Sequence, residues 1–483
     1  MNPLSKTILA GRPEARLLSL PEKVLQFGTG VLLRGLPDYL IDKANRQGIF
    51  NGRIVAVKST TAGELSAFEE QDHLYTLCVR GIENGRPVIE NMLSTAISRV
   101  LAANHQWQEI LACAANPLLE LVISNTTEVG VQLLREDIHQ HPPVSFPGKL
   151  LAFLLARYQA FNGDPAKGLV IIPTELLVQN GALLKSILVE LAHWNGLEPG
   201  FLDWLENACT FCNSLVDRIV PGRPGAEKVA ALEAELGYRD RLLTVAEPYC
   251  LWAIEGDEKV ARTLSFWRAD PQAVVIAPDI ERYRERKLRL LNATHTLSCS
   301  LAHLAGFATV SAAMNDPEMA TFIERLMFGE IAPAIPYALP PGDAQQFGRQ
   351  VLDRFRNPAV EHRWLSITVQ NASKMRMRAI PLLLEHYRKN TEPPAYFALG
   401  FAAFLCFYQQ PTHPVQDDHA AWFYQKWQVG TLENFTRKVL TDTDFWGADL
   451  SVLPGFSGLC TQLAGDIFEK GARQALHELV SKA

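Results

Sequence analysis

The sequence predicts an α/β protein in two parts: a Rossmann-like N-terminal domain with a mostly parallel sheet, then an all-helical C-terminal domain. Three observations lead there. Short, continuously apolar runs alternate with helix-like stretches up to residue 280. A Gly-x-Gly turn follows the first of those runs. Beyond residue 280 almost every periodic stretch repeats with the spacing of a helix. The expected domains are therefore an α/β unit over 1–280 and a helical unit over 281–483.

The elements follow in order. Residues 23–27 read as a buried strand that runs into Gly28-Thr29-Gly30 and then an amphipathic helical stretch, 32–45. Residues 53–58 read as the second strand, and 119–124 and 168–172 as two more. Segment 75–92 differs, because Asn84-Gly85 between two strand-like runs signals a hairpin. From 281 the chain is charged and then rich in Leu and Ala, without proline as far as 305. Further helical stretches are 311–328, 344–356, 379–390, 395–408 and 465–481, with Pro- and Gly-rich breaks at 332–342 and 410–414.

Composition narrows the function classes. The 483 residues are 48% hydrophobic, which is far above the range of disordered chains. Net charge is −6 and no basic stripe stands out, so nucleic acid is not an expected partner. The most apolar stretch, 397–408, is too short to span a bilayer and reads as a core helix. Residues 1–20 hold no signal-peptide core, so a cytoplasmic location without membrane contact is expected. The eight cysteines are scattered, as in a reduced protein, and Cys209-Thr210-Phe211-Cys212 reads as packing rather than chemistry. No metal site is expected. His413 and His419 lack the i, i+4 spacing that converges two ligands, and Pro414 lies between them.

Two segments can carry chemistry. Gln26-Phe27-Gly28-Thr29-Gly30, running through to Arg34, has the strand–turn–helix form that lets a pyrophosphate approach backbone N–H groups. The third glycine of the full dinucleotide pattern is replaced by Leu33. The second strand ends Lys58-Ser59-Thr60-Thr61, with no carboxylate before Glu64 to hold a ribose, so this end leaves NAD, the expected cofactor, and NADP both open. The other segment is Lys287-x4-Asn292-x2-His295. On an ideal α-helix His295 lies about 80° and Asn292 about 140° around from Lys287, over about 12 Å of axis. Lysine can act as proton donor, and asparagine and histidine can polarise a carbonyl oxygen. The lysine needs a pKa brought from about 10.4 toward 7–8. Arg284, Arg286 and Arg289 lie nearby, either as cations that assist or as a solvated face.

K-x4-N-x2-H on a helix after such a domain resembles the polyol-specific long-chain dehydrogenases, the mannitol dehydrogenase family. The likeness continues through Gly28-x-Gly30 with Arg34, Asn125-Thr126-Thr127-Glu128, Asn213 to Ile219 (N-x-x-V-D-R-I), Met314 to Pro317 and Asp353-Arg354-Phe355. It implies that Gln26, Phe27, Gly28, Thr29, Gly30, Arg34, Asn125, Thr127 and Glu128 bind the cofactor. It also implies that Lys287 is a metal-independent general acid/base, with Asn292 and His295 on the reacting oxygen.

Departures point to one branch of the family. Thr174-Glu175-Leu176 stands where mannitol dehydrogenases carry a C-D-N run, and Ser366 where they carry an arginine. Asn180 is the nearest substitute for the missing substrate-binding asparagine, although Asn180-Gly181 equally reads as a turn or helix cap. These changes are shared with the branch that reduces keto-uronates. The expected substrate is accordingly a small sugar acid, tagaturonate and altronate being the pair implied, with fructuronate or a free hexitol as alternatives. A dinucleotide-binding regulator without catalysis is the alternative from another class. A uronate carboxylate needs a cation. Lys374 matches a family active-site lysine, and Arg356, Arg363, Arg376 and Arg378 are further candidates.

Overall fold

The computed structural model describes residues 1–59, 65–126, 130–409, 415–428 and 430–482. They form two compact units, one of residues 1–80 and 88–280, the other of 81–87 and 281–483. The tip of the hairpin therefore sorts with the helical unit, where Gly85 N–H donates to Asp353 at 3.2 Å.

The first unit is built on a six-stranded parallel sheet: Glu22–Phe27, Arg53–Lys58, Ile97–Ala102, Leu121–Ser124, Val170–Pro173 and Thr210–Phe211. Counted along the chain, these strands lie side by side as 3-2-1-4-5-6. That order reverses direction at the first strand, and the crevice beyond the strand ends at such a point is where ligands bind. Alternate residues feed opposite faces. Val24, Ile54, Ala56, Leu121 and Ile123 enter one apolar core, while Leu25, Phe27, Val55, Val57 and Val122 enter the other. Burial on both faces explains why these strands read as continuous apolar runs.

The predicted helical stretch 32–45 is two helices, Val31–Gly35 and Pro37–Arg46, because Leu36 leaves helical geometry and Pro37 has no N–H to continue the ladder. The hairpin joins Tyr75–Glu83 to Arg86–Ser94, with Asn84 and Gly85 both at positive φ (52° and 71°), as a tight right-twisting turn requires.

In the helical unit, stretch 311–328 is divided at Asp316, whose carboxylate caps the helix Pro317–Arg325. Stretch 465–481 is likewise two helices, Phe456–Lys470 and Ala472–Ser481, parted by Gly471 at φ 87°. The apolar helix Ala395–Gln409 is buried along nearly its whole length and packs against Thr294–Leu304 and Phe456–Lys470. No helix among the described residues is long and apolar enough to cross a membrane.

The approach of Ala395–Gln409 to Thr294–Leu304 depends on Gly400, where an added Cβ would lie 2.5 Å from the Leu297 carbonyl oxygen. Alanine favours a helix over glycine by about 1 kcal/mol, but overpacking costs about 1–3 kcal/mol. Gly400→Ala is therefore expected to lower stability in denaturant unfolding. An alanine variant as stable as the parent would show that the two helices can part at no cost.

Candidate active site

The crevice of the first unit is a cavity of about 740 Å³ at the strand ends, lined by Gly28, Thr29, Gly30, Lys58, Ser59 and Asn125 among others. Gly28 sits at φ 129°, and a Cβ there would lie 2.7 Å from Leu33 Cδ1 and 3.0 Å from the Asn125 carbonyl. Backbone thus comes close to backbone at this turn, which leaves a glycine cradle of the kind a pyrophosphate enters. The lining carries Lys58 and Lys149 and, among the described residues, no carboxylate. Leu133, Leu134 and Val144 give it an apolar wall.

Glu175 braces this crevice. Its buried carboxylate accepts from Thr126 N–H (2.7 Å), the Thr126 hydroxyl (3.1 Å) and the Ser124 hydroxyl (3.2 Å). Burial holds its pKa above the usual carboxylate value despite these donors. Asn125 in turn donates to the Thr174 hydroxyl at 2.9 Å.

Three expected cofactor residues do not reach the crevice. Gln26 and Phe27 are fully buried beneath the turn, Gln26 donating to the Gly28 carbonyl at 3.3 Å and Phe27 packing edge-on to Phe146. Arg34 is also buried, with its guanidinium donating to the Leu242 carbonyl and packing against Tyr75 and Phe68. These side chains hold the turn from behind. Thr127 and Glu128 lie outside the described residues, as does His413.

The helical unit holds the second set. Lys287, Asn292 and His295 do not share one ideal α-helix. Residues Lys287–Ala293 form a π-helical segment between the α-helices Glu281–Arg286 and Thr294–Leu304. In a π turn each N–H bonds five residues back, so Asn292 moves toward the face that carries Lys287 instead of lying well round the helix. Two more π segments, Leu326–Ile331 and Met375–Ala379, pack against this one. Such turns are rare and concentrate at functional sites.

Arg289 joins two of them. Its Nη1 donates to the carbonyls of Met377 and Arg378, each at 2.9 Å, while Nε and Nη2 bond Glu285 at 3.0 and 3.2 Å. Arg286 is half-buried on the Phe347 ring and paired with Asp343 at 3.0 Å. The solvated-face reading therefore fails for both arginines.

His295 is 8% exposed, stacked on Phe355 (centroids 4.2 Å apart) and edge-on to His362 and Trp364. Its Nε2 is buried and has no hydrogen-bond partner among the described residues. Burial first, then His362, Arg354, Arg378 and Lys374, depress its proton affinity well below the ordinary histidine value, so the ring is neutral.

Comparison with known proteins fits this geometry. The Mannitol dehydrogenase Rossmann domain matches residues 22–267, and the Mannitol dehydrogenase C-terminal domain matches 279–462. The chain belongs to the mannitol dehydrogenase family. As a member it is an oxidoreductase acting on CH–OH groups of polyols or uronates. It is 38% identical to the altronate oxidoreductase of Bacillus subtilis (strain 168) over 463 residues, 95% of each chain. It is also 38% identical to that of Escherichia coli O7:K1 over 477 residues, 95% of this chain and 97% of the other. In fold it resembles Pseudomonas fluorescens mannitol 2-dehydrogenase, solved as a ternary complex with NAD and D-mannitol (TM-score 0.71, 22% identity, 99% of this chain and 100% of that one). A D-sorbitol dehydrogenase in substrate-free form is similar as well (TM-score 0.78, 21% identity, 95% and 96% covered).

Two expected substrate residues fare differently in this dehydrogenase. Asn180 is buried, and its amide is spent on backbone: Nδ2 donates to the carbonyls of Pro173, Glu175 and Ser214, and the oxygen accepts from Gly181 and Ser214. With every donor used it is a structural joint, the helix-cap alternative, and is not available to a substrate. Lys374 is half-buried with its ammonium 3.0 Å from the Ile367 carbonyl, and burial lowers its pKa. Among the described residues no cluster of three or more His, Cys, Asp or Glu side chains is placed to hold a metal. The Cys209 and Cys212 thiols are buried and pushed up to about 11 and about 12. Sequence reasoning missed Glu175 and Arg289 as supports; Glu175 is a charged residue inside an apolar stretch, a signal that a buried partner is needed, whereas Arg289 follows a charged run and carries no such signal.

The neutral His295 has a consequence for stability. Its folded pKa lies below the unfolded value of about 6.5, so the unfolded chain takes up more protons on acidification. The stability this residue contributes is complete above that value and is lost as pH falls through it. Between pH 6.5 and 5.5 the loss is about 1 kcal/mol. Denaturant unfolding of the parent and of His295→Gln at both pH values is expected to show the variant less acid-sensitive by that amount. Identical pH slopes would mean that the ring ionises freely.

Proposed function

We propose that this dehydrogenase interconverts a keto-uronate and its hydroxy acid with NAD, tagaturonate and altronate being the substrate pair. The substrate class is supported by the near-full-length likeness to altronate oxidoreductases. The chemistry is supported above all by the π turn that turns Asn292 toward Lys287 on the helix continuing into His295.

The glycine cradle at Gly28-Thr29-Gly30, with Asn125 opposite it and Lys58 and Lys149 in the lining, suits a dinucleotide pyrophosphate. NAD, when bound, exchanges a hydride with the carbon that bears the reacting oxygen. In the reducing direction Lys287 delivers the proton to that oxygen, and in the oxidising direction it removes it. Asn292 and His295 donate hydrogen bonds to the oxygen as charge grows there. The buried, unbonded Nε2 and the neutral ring suit His295 to this, because a neutral donor polarises the oxygen without releasing a second proton.

Lys287→Ala is expected to lower kcat at least 100-fold while NADH affinity stays within about threefold. Near-normal turnover would remove Lys287 from the mechanism. The substrate is decided by assaying NADH and NADPH against tagaturonate, fructuronate and fructose. Tagaturonate with NADH is expected to give the highest kcat/KM, and a clear preference for fructose would overturn the uronate assignment.

A further inference from the structure

The surroundings of His295 are cationic. Arg354, Arg378, Lys374 and His362 all act on its imidazole. Most arginines of this unit have carboxylate partners: Arg282 and Arg286 share Asp343, Arg289 has Glu285, Arg356 has Glu324 and Arg363 has Glu361. Arg378 is the exception that matters. It is half-buried, and among the described residues its guanidinium meets no carboxylate; Nη1 lies 3.3 Å from the Thr296 hydroxyl. Lys374, one turn earlier on the same helix, also has no ion-pair partner among the described residues.

The nearby acidic groups do not serve. The buried Cys299 thiol is pushed up to about 11 and is therefore uncharged. The Asp417 carboxylate accepts from the Tyr408 hydroxyl (2.5 Å), Ala372 N–H (2.8 Å) and His419 N–H (2.9 Å), so its oxygens are already bonded. Asn371, three residues before Lys374, is wholly buried, and neither amide atom is bonded among the described residues. Among the described residues, two half-buried cations thus have no carboxylate partner and a buried amide has no hydrogen bond. An anion brought in by the substrate would supply them.

We propose that Arg378, with the Thr296 hydroxyl beside it, binds the carboxylate of the sugar acid and separates uronates from neutral polyols. The proposal rests on the reading of Lys287, Asn292 and His295 as the groups around the reacting oxygen. Thr296 directly follows His295, and the Arg378 carbonyl is bonded to Arg289 within the π turn that carries Lys287 and Asn292. Arg378 is therefore fixed close to that set and displaced from it. A six-carbon keto acid places its carboxylate several bonds from the ketone and requires that separation. A guanidinium also offers the planar fork that matches two carboxylate oxygens, which an ammonium does not. The other arginines first considered for this task are unsuited. Arg356 and Arg363 hold carboxylates of their own, and Arg376 is exposed over the Phe445 ring.

The test compares the full-length enzyme with Arg378→Gln and Arg378→Lys, using NADH with tagaturonate and fructuronate and with their neutral counterparts tagatose and fructose. Arg378→Gln is expected to lose about 100-fold in kcat/KM on the keto-uronates, chiefly through KM. Its loss on the neutral ketoses is expected to be at least tenfold smaller, with Arg378→Lys intermediate. Equal losses on acid and neutral substrates would show a merely structural role, and no loss on the keto-uronates would place the carboxylate elsewhere; either overturns the proposal. Should Arg378→Gln fail to fold, judged by its NADH affinity and thermal midpoint, the same acid-to-neutral comparison on Arg378→Lys decides. A parent enzyme that reduces neutral ketoses and ignores keto-uronates overturns the carboxylate site and leaves the catalytic reading intact. A parent that reduces neither overturns both.

Discussion

The helical unit turns on how one buried guanidinium is satisfied. Arg289 sits in a π segment and reaches across to two carbonyls in another, while Glu285, one turn earlier, balances its charge. Hydrogen bonds from a charged donor contribute about 1.5–3 kcal/mol each, and a buried charge that loses its partner costs more than the bond it made. The arrangement therefore holds only as a whole. It fixes the segment carrying Lys287 and Asn292 against the segment carrying Lys374 and Arg378. A plain α-helix would turn Asn292 away from Lys287, so the extra residue in each turn is a condition of the site rather than an irregularity.

The α/β unit solves a different problem with neutral contacts. Parallel strands buried on both faces leave their carboxyl ends as the natural place for a ligand, and the reversal of strand order at the first strand opens a crevice there. Gly28 keeps the turn close to Asn125, and Gln26, Phe27 and Arg34 support it from the interior. Glu175, from the loop after Val170–Pro173, gathers the donors of Ser124 and Thr126 and sets the far wall.

Much of this could be read in the amino-acid order. Strands reveal themselves through runs such as 119–124, a turn through Asn84-Gly85, and the catalytic candidates through the spacing from Lys287 to His295. What could not be read is which polar side chains turn inward. Arg34 and Asn180 have residue types suited to binding, yet both are consumed by carbonyls far away in sequence. Arg289 has the pattern of a solvated charge and is buried. In each case the deciding partner belongs to another element, and no local pattern encodes it.

The sequence by itself determined the family, the two-part architecture and the segment that carries Lys287, Asn292 and His295, because periodicity and motif spacing are local properties of the chain. The tertiary structure decided the phase of that helix through its π turn, the neutrality of His295 and the absence, among the described residues, of a carboxylate beside Arg378. These depend on burial and on charges brought together from segments around residues 295, 354, 362 and 378. Electrostatics in a low-dielectric interior is set by such neighbours in space, not by neighbours along the chain.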